Sequence, residues 1–301
     1  EGNFSGVFAS SELDVDPSVS TLTALGITGN GGNVLEPGVV PAAYFAAPLT
    51  DEIFVGVSLN APYGFGTTSD NPWVGMFSHL EAEAASINVA PIVGYKFNEL
   101  VSAAVGLSIE YFDVNIETAL APTADPPRQQ VDGDSIDIGF VAGLTLTPSE
   151  TTTLGIGYRS PIKHRLKGAQ TFGTAVPTPL GIIPAGDYDI SADVTLPETI
   201  SLGLRQRVSE AFVVLASVEW VNWSRIDAVS FEGSPAGTSL VLDFKDGWFF
   251  AVGGEYQVNP DWAFRAGFAY EIAPTTDEHR SMRLPDADRI WASIGLSYNW
   301  H

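Results

Sequence analysis

Cysteine is absent from this chain of 301 residues, which removes disulfide scaffolds, thiolate metal sites and cysteine nucleophiles in one step. Charge is scarce as well. Only 17% of residues are Asp, Glu, Lys or Arg, against about 25% in an ordinary soluble protein. Hydrophobic residues reach 45% and mean hydropathy is +0.13, so much of the surface is not built to face water. Yet long apolar runs are missing. No segment offers the roughly 18 uninterrupted apolar residues of a membrane-spanning helix, and the long charge-free stretch Gly168–Gly186 is broken by Pro177, Pro179 and Pro184. Positive charge is the scarcest resource: 14 Lys and Arg against 36 Asp and Glu give a net charge of −22. That balance argues against a nucleic-acid partner, because phosphate binding needs clustered cations. Much of the acidic excess falls in loop-like segments such as Asp132-Gly-Asp134 and Asp277-Glu278. The opening Glu1-Gly-Asn-Phe4 has no basic or apolar leader region, as expected of a mature chain or a fragment.

What is present is alternation with a period of two. Val101, Ala103, Val105, Leu107, Ile109 and Tyr111 share one face; Ser102, Ala104, Gly106, Ser108 and Glu110 share the other. Ile290–Trp300, Leu154–Arg159 and Trp262–Glu271 repeat the pattern, with Gly, Ser, Ala and scattered charge on the second face. Such runs are strands between two environments. A soluble sandwich alternates too, but here the second face is small and polar, as in a crowded or wet lumen. Aromatic residues (Trp220, Trp223, Trp248, Trp262, Tyr298, Trp300) stand near strand ends, like the girdles at a membrane interface.

The connections alternate between short and long. Tight turns at Thr50-Asp-Glu52, Asn98-Glu-Leu100, Ser149-Glu-Thr151, Ser209-Glu-Ala211 and Asn259-Pro-Asp261 start 48, 51, 60 and 50 residues apart. Longer loops lie between them, roughly at 18–38, 67–77, 113–133, 168–187, 230–239 and 273–286. This spacing predicts an all-β fold: an antiparallel transmembrane β-barrel of about twelve strands in the outer membrane, 1–301 forming one domain. Strands in lipid must pair every backbone group, so the wall has to close.

Five runs then resemble one family in order: Asn60-Ala-Pro-Tyr-Gly64, Gly157-Tyr-Arg-Ser-Pro-Ile-Lys-His164, Ala192-Asp-Val-Thr-Leu-Pro-Glu-Thr199, Trp220-Val-Asn-Trp-Ser-Arg225 and Arg283-Leu-Pro-Asp-Ala-Asp-Arg-Ile-Trp291. Together they are similar to the FadL/TodX-type outer-membrane transporters of long-chain fatty acids and aromatic hydrocarbons. That resemblance implies fourteen strands and an N-terminal hatch. No hatch is found here and a last hairpin is missing, so the chain is read as a fragment of a larger barrel.

The family resemblance implies passive transport of hydrophobic compounds by loop capture, lumenal binding and lateral exit. The apolar loop residues Phe172, Val176, Leu180, Ile182 and Ile183 are candidates for capture, since exposed apolar patches often mark binding surfaces; the alternative is a loop packed onto its neighbours. Strand Ile53–Leu59 runs into Pro62, Gly64 and Gly66, residues that break a ladder. By resemblance, Asn60, Pro62, Tyr63, Gly64 and Phe65 form the exit, although the strand could simply end at Ala61. Arg159, Arg205, Arg207 and Arg265 project from polar faces, and Asp286, Asp288 and Arg289 fall near a strand end. The arginines either pair with Glu110, Glu219, Glu255 and Glu271 in a structural ladder or hold a substrate carboxylate, and Asp286, Asp288 and Arg289 are expected in such a network.

The four histidines (79, 164, 279 and 301) have no metal-ligand or triad spacing, so neither an enzyme nor a cofactor is expected. The partners expected are outer-membrane lipid and a hydrophobic small molecule such as a fatty acid, met by a monomer. The alternative reading is a general diffusion porin for small polar solutes.

Overall fold

A computed structural model of the protein describes residues 2–12, 21–179, 181–237 and 239–299. Its strands are β1 (Gly2–Val7), β2 (Gly38–Pro48), β3 (Ile53–Asn60), β4 (Gly64–Thr68), β5 (Glu81–Lys96), β6 (Val101–Ala119), β7 (Arg128–Ser149), β8 (Thr152–Arg159), β9 (Ile162–Phe172), β10 (Val176–Thr178) and β11 (Gly181–Ile183). They continue as β12 (Gly186–Leu196), β13 (Thr199–Arg207), β14 (Phe212–Val221), β15 (Ala228–Glu232), β16 (Ser239–Val241), β17 (Gly247–Gln257), β18 (Trp262–Ile272) and β19 (Arg289–Tyr298). Seventeen of them make one antiparallel sheet, and β10 with β11 makes a separate hairpin. No described helix is long and apolar enough to cross a membrane.

Several wall strands are interrupted. β3 and β4 both pair with β5, and β8 and β9 both with β7. β12 follows β9 while β13 follows β8. β14 and β15 continue one wall strand in the same way, and β16 and β17 another. Read through these breaks, the described wall has twelve strands: β1, β2, β3/β4, β5, β6, β7, β8/β9, β12/β13, β14/β15, β16/β17, β18 and β19. Among the described residues no register joins β1 to β19, and β1 is exposed throughout.

The two faces divide as the alternation requires. Val105, Leu107, Ile109, Ile136, Ile138 and Val252 are exposed on the outside, while Ser108, Glu110 and Phe112 are buried on the inside. Tyr95 with Phe97 and Trp262 with Tyr298 pack edge-on or tilted at the short-turn end; Trp220 and Trp248 lie at the other end. Two expectations need correction. The expected loop at 113–133 is mostly strand: β6 and β7 stay paired from Asp113↔Asp134 to Ala119↔Arg128. Polar residues there mark a sheet rising out of the apolar zone, not a turn. Trp223 is not part of the outer girdle, since it sits in a short 3-10 turn and lines the interior.

The long-loop end carries a small core of its own. Leu22, Ile27, Trp73, Met76, Leu80 and Ala119 cluster there with Val74 and Met282. Trp73 is fully buried, and its indole N–H donates to the His79 carbonyl at 2.9 Å. Gly75 lies so close under this ring that a Cβ would stand 2.3 Å from it. The loops thus form a packed cap rather than loose connections.

Candidate functional site

Inward-facing positions of β5, β6, β9 and β12 carry the apolar residues Ala82, Ala84, Phe112, Val114, Leu166, Val194 and Leu196. Phe112, Leu166 and Leu196 pack together inside the barrel with Tyr63. Above them is a cavity of about 430 Å³. Its lining includes Trp223, Phe231 and Phe244, the wall residues Pro62, Tyr63, Gly64 and Phe65, and the charged groups Glu271, Arg283, Asp286 and Arg289. An apolar chamber with few polar groups is the usual form of a small-molecule site.

The wall beside this cavity is broken. Asn60 pairs with Asn88 and Gly64 with Ala85, four steps on one strand against three on the other. The extra residue makes a bulge, as proline and glycine in a strand lead one to expect. β2 pairs with β3 as far as Ala42↔Asn60 and then runs against β1. The free edge of β4 is instead taken by residues 34–36: Glu36 N donates to Gly66 O at 3.1 Å and Thr68 N to Val34 O at 2.9 Å. The ladder is therefore interrupted where residues 38–41 face 61–64, and it resumes in the same register at the bridge Leu35↔Thr67. Ser86 holds the break, its N–H donating to Tyr63 O at 2.9 Å while the Tyr63 N–H donates to Ser86 Oγ at 3.0 Å. Asn60 Oδ1 is buried there with no hydrogen-bond partner.

Tyr63 reaches from this break across the lumen. Its ring meets Trp223 edge-on at 5.4 Å, and Trp223 meets Phe244 at 5.9 Å. Below lies a buried polar layer. Asn88 Nδ2 donates to Ser108 Oγ at 2.6 Å and to Glu110 Oε2 at 3.2 Å; His164 stands 3.3 Å from Glu110 and 2.8 Å from Ser135 Oγ. Arg159 is 3.9 Å from Glu110. These contacts tie β5, β6, β7, β8 and β9 together, while Asn88 Oδ1 and Arg159 Nη1 are buried without a hydrogen-bond partner. Among the described residues no cluster of His, Asp or Glu has the makings of a metal site.

The other sequence candidates are scattered. Arg265 pairs with Glu255, and Arg289 lies 3.3 Å from Glu271 and contacts Asp286. Asp288 turns to the rim, accepting from the outward Tyr270 hydroxyl at 2.8 Å and the Ala273 N–H at 2.9 Å. Arg205 and Arg207 are exposed near the short-turn end. In the apolar loop, Phe172 and Ile183 are buried, Val176 is half-buried and Ile182 is 70% exposed at the β10–β11 hairpin; Leu180 lies outside the described residues. Sequence reasoning missed Trp223, Phe112 and Arg283 as cavity residues. For Trp223 a signal existed: three residues from Trp220, it cannot share that residue's face on a regular strand.

A family model described as outer membrane protein transport protein (OMPP1/FadL/TodX) matches residues 4–301. The chain belongs to this family. It is 26% identical over 317 aligned positions to the long-chain fatty acid transport protein of Salmonella typhi, covering 95% of this chain and 72% of that one. Against outer membrane protein P1 of Haemophilus influenzae the identity is 24%, covering 98% and 72%. A Pseudomonas aeruginosa FadL homologue superposes with a TM-score of 0.82 at 23% identity, over 91% of this chain and 69% of that one. The toluene transporter TbuX of Ralstonia pickettii gives 0.63 at 18%, over 91% and 84%. The family consists of transport proteins, not enzymes, and this chain is an outer-membrane β-barrel.

Proposed function

We propose that the protein carries hydrophobic compounds passively across the outer membrane, from the apolar hairpin to the lumenal cavity and out sideways through the broken third wall strand. Its relatives include a long-chain fatty acid transport protein and a toluene transporter, which supports the same cargo class for this chain. The observation that carries the route is adjacency: Pro62, Tyr63, Gly64 and Phe65 belong both to the wall break and to the lining of the 430 Å³ cavity.

The physical need is plain. A water-filled pore offers an apolar solute no favourable surroundings, whereas burial of its surface is worth roughly 25 cal/mol per Å². In this reading Phe172, Val176, Leu180, Ile182 and Ile183 gather solute outside, the cavity holds it, and Asn60 through Phe65 release it into lipid. The protein works as a monomer and needs no cofactor, since diffusion through a binding site consumes nothing.

Planar-bilayer conductance together with ligand binding tests this. The protein should conduct ions poorly and bind oleate or toluene. Steady conductance with no binding of either would replace this reading with a general diffusion porin.

A further inference from the structure

The ladder between the wall strands β12/β13 and β14/β15 fails over a longer stretch than the one beside Gly64. Pairing of β13 with β14 ends at Thr199↔Val221, and pairing of β12 with β15 resumes at Ala192↔Phe231. Residues 193–198 therefore face 222–230, six positions against nine, and the surplus leaves the wall as the 3-10 turn Trp223–Arg225. On the other side of β12/β13 the register is kept across the same level, from Leu196↔Ile162 to Thr199↔Arg159. Only the flank toward β14/β15 is unpaired.

Both margins of this gap line the cavity, Val194 and Leu196 from one side, Trp223, Ile226, Val229 and Phe231 from the other. Its outer rim differs from that of the break beside Gly64. There Val39, Val57 and Leu59 stand exposed outside the wall, a rim suited to hydrocarbon. Here Lys163 pairs with Asp193 at 2.7 Å and Arg165 with Glu232 at 3.0 Å, all four exposed, beside exposed Ser224, Asp227 and Ser230. Charge of this density is costly inside hydrocarbon, so the gap faces water and lipid head groups.

The turn is fastened to the β12/β13 strand at one residue. Glu198 accepts from Arg225 Nε and Nη2 at 2.9 and 2.8 Å and from Asn222 Nδ2 at 2.8 Å, and its carbonyl accepts from the Asn222 N–H at 3.1 Å. The exposed hairpin β10–β11 leads directly into β12, which forms one margin of the gap. We infer that this gap is the entrance to the cavity: the 3-10 turn is a door bolted at Glu198, and an amphiphile gathered at the hairpin passes between β12 and β15 when the turn swings away. The cavity then has two openings of unlike polarity, one toward water and one toward hydrocarbon, and passage from the first to the second runs down the free energy of apolar burial. This deepens the transport reading above and rests on the cavity being the ligand site.

The chain has no cysteine, so Glu198→Cys/Asn222→Cys carries a single thiol pair, at positions whose backbones are already hydrogen-bonded and so within disulfide reach. Delivery of oleate to the membrane by the full chain reconstituted in vesicles is measured on one sample, first oxidised and then reduced. Oxidation should lower delivery at least tenfold and reduction should restore it, while the oleate bound at equilibrium stays within about twofold. Equal delivery in the two forms would overturn the entrance, as would a parallel loss of bound oleate, which would make the pair part of the site itself. Arg225→Met, which draws the bolt without a crosslink, should raise delivery at least threefold; delivery at or below the wild-type rate would also overturn the inference. A wild-type chain that neither binds nor delivers oleate would instead sink the transport reading beneath it.

Discussion

The Tyr63 hydroxyl donates to the carbonyl oxygen of Pro197 across the lumen at 3.2 Å. One residue stands in the break between β3 and β4, the other in the break between β12 and β13. The second break is itself fastened, because Glu198 takes a two-pronged hydrogen bond from Arg225 at 2.9 and 2.8 Å and another from Asn222 at 2.8 Å. Interruptions in separate wall strands thus meet inside the barrel, and Tyr63 links the wall opening to the far side.

This link should act as a latch. Tyr63→Phe removes one hydrogen bond, a loss of about 1 kcal/mol, and so about a fivefold shift toward the open break. Amide hydrogen exchange at residues 63–66 should speed up by about that factor, and uptake of labelled fatty acid should rise. Exchange unchanged from wild type would remove the latch.

The exposed hairpin supplies a second expectation. Ile182 is 70% exposed while Phe172 and Ile183 beneath it are buried, so a charge at 182 disturbs no packing. Ile182→Asp should lower uptake severalfold and leave the thermal unfolding of the barrel within about 0.5 kcal/mol of wild type. Normal uptake at low substrate concentration would take the capture role away from this loop.

Acid should loosen the cap. His79 is fully buried and neutral, with its pKa lowered from 6.5 to about 4 by burial and by Arg283. Between those values the unfolded loop binds a proton that the folded one refuses, so the His79 contribution is complete above pH 6.5 and declines as pH falls toward 4. Trp73, packed edge-on to His79 at 6.3 Å, reports on this site. Hydrogen exchange across 69–80 should accelerate on acidification in the ligand-free protein, and His79→Phe should flatten that dependence. A pH-independent rate in the unaltered protein would contradict it.

The wall was legible because its rule is local. Val101–Tyr111 and Ile290–Tyr298 declare their two faces residue by residue, and turns such as Asn259-Pro-Asp261 declare their end of the barrel. Legibility failed where polarity has two causes. Asp113, Asn115, Asp132 and Asp134 resemble a loop, yet they are the outward face of paired strands above the apolar zone. The break at Pro62 was visible from proline and glycine alone, whereas its partner at Pro197 could not be, since 134 residues separate Tyr63 from the carbonyl it meets. Arg283 was hidden for the same reason. Which charges reach the cavity depends on what the fold brings together, and no periodicity encodes that.

Gly64 offers the most direct test of the sideways route. A Cβ built there has Ala84 O at 3.7 Å as its nearest neighbour, so the strand has room for a side chain that then fills the opening. With Gly64→Trp, delivery of oleate to the membrane, taken relative to the amount the reconstituted barrel binds, should fall at least tenfold. Delivery at the wild-type rate from a folded, ligand-binding variant would mean that cargo does not leave between β2 and β4.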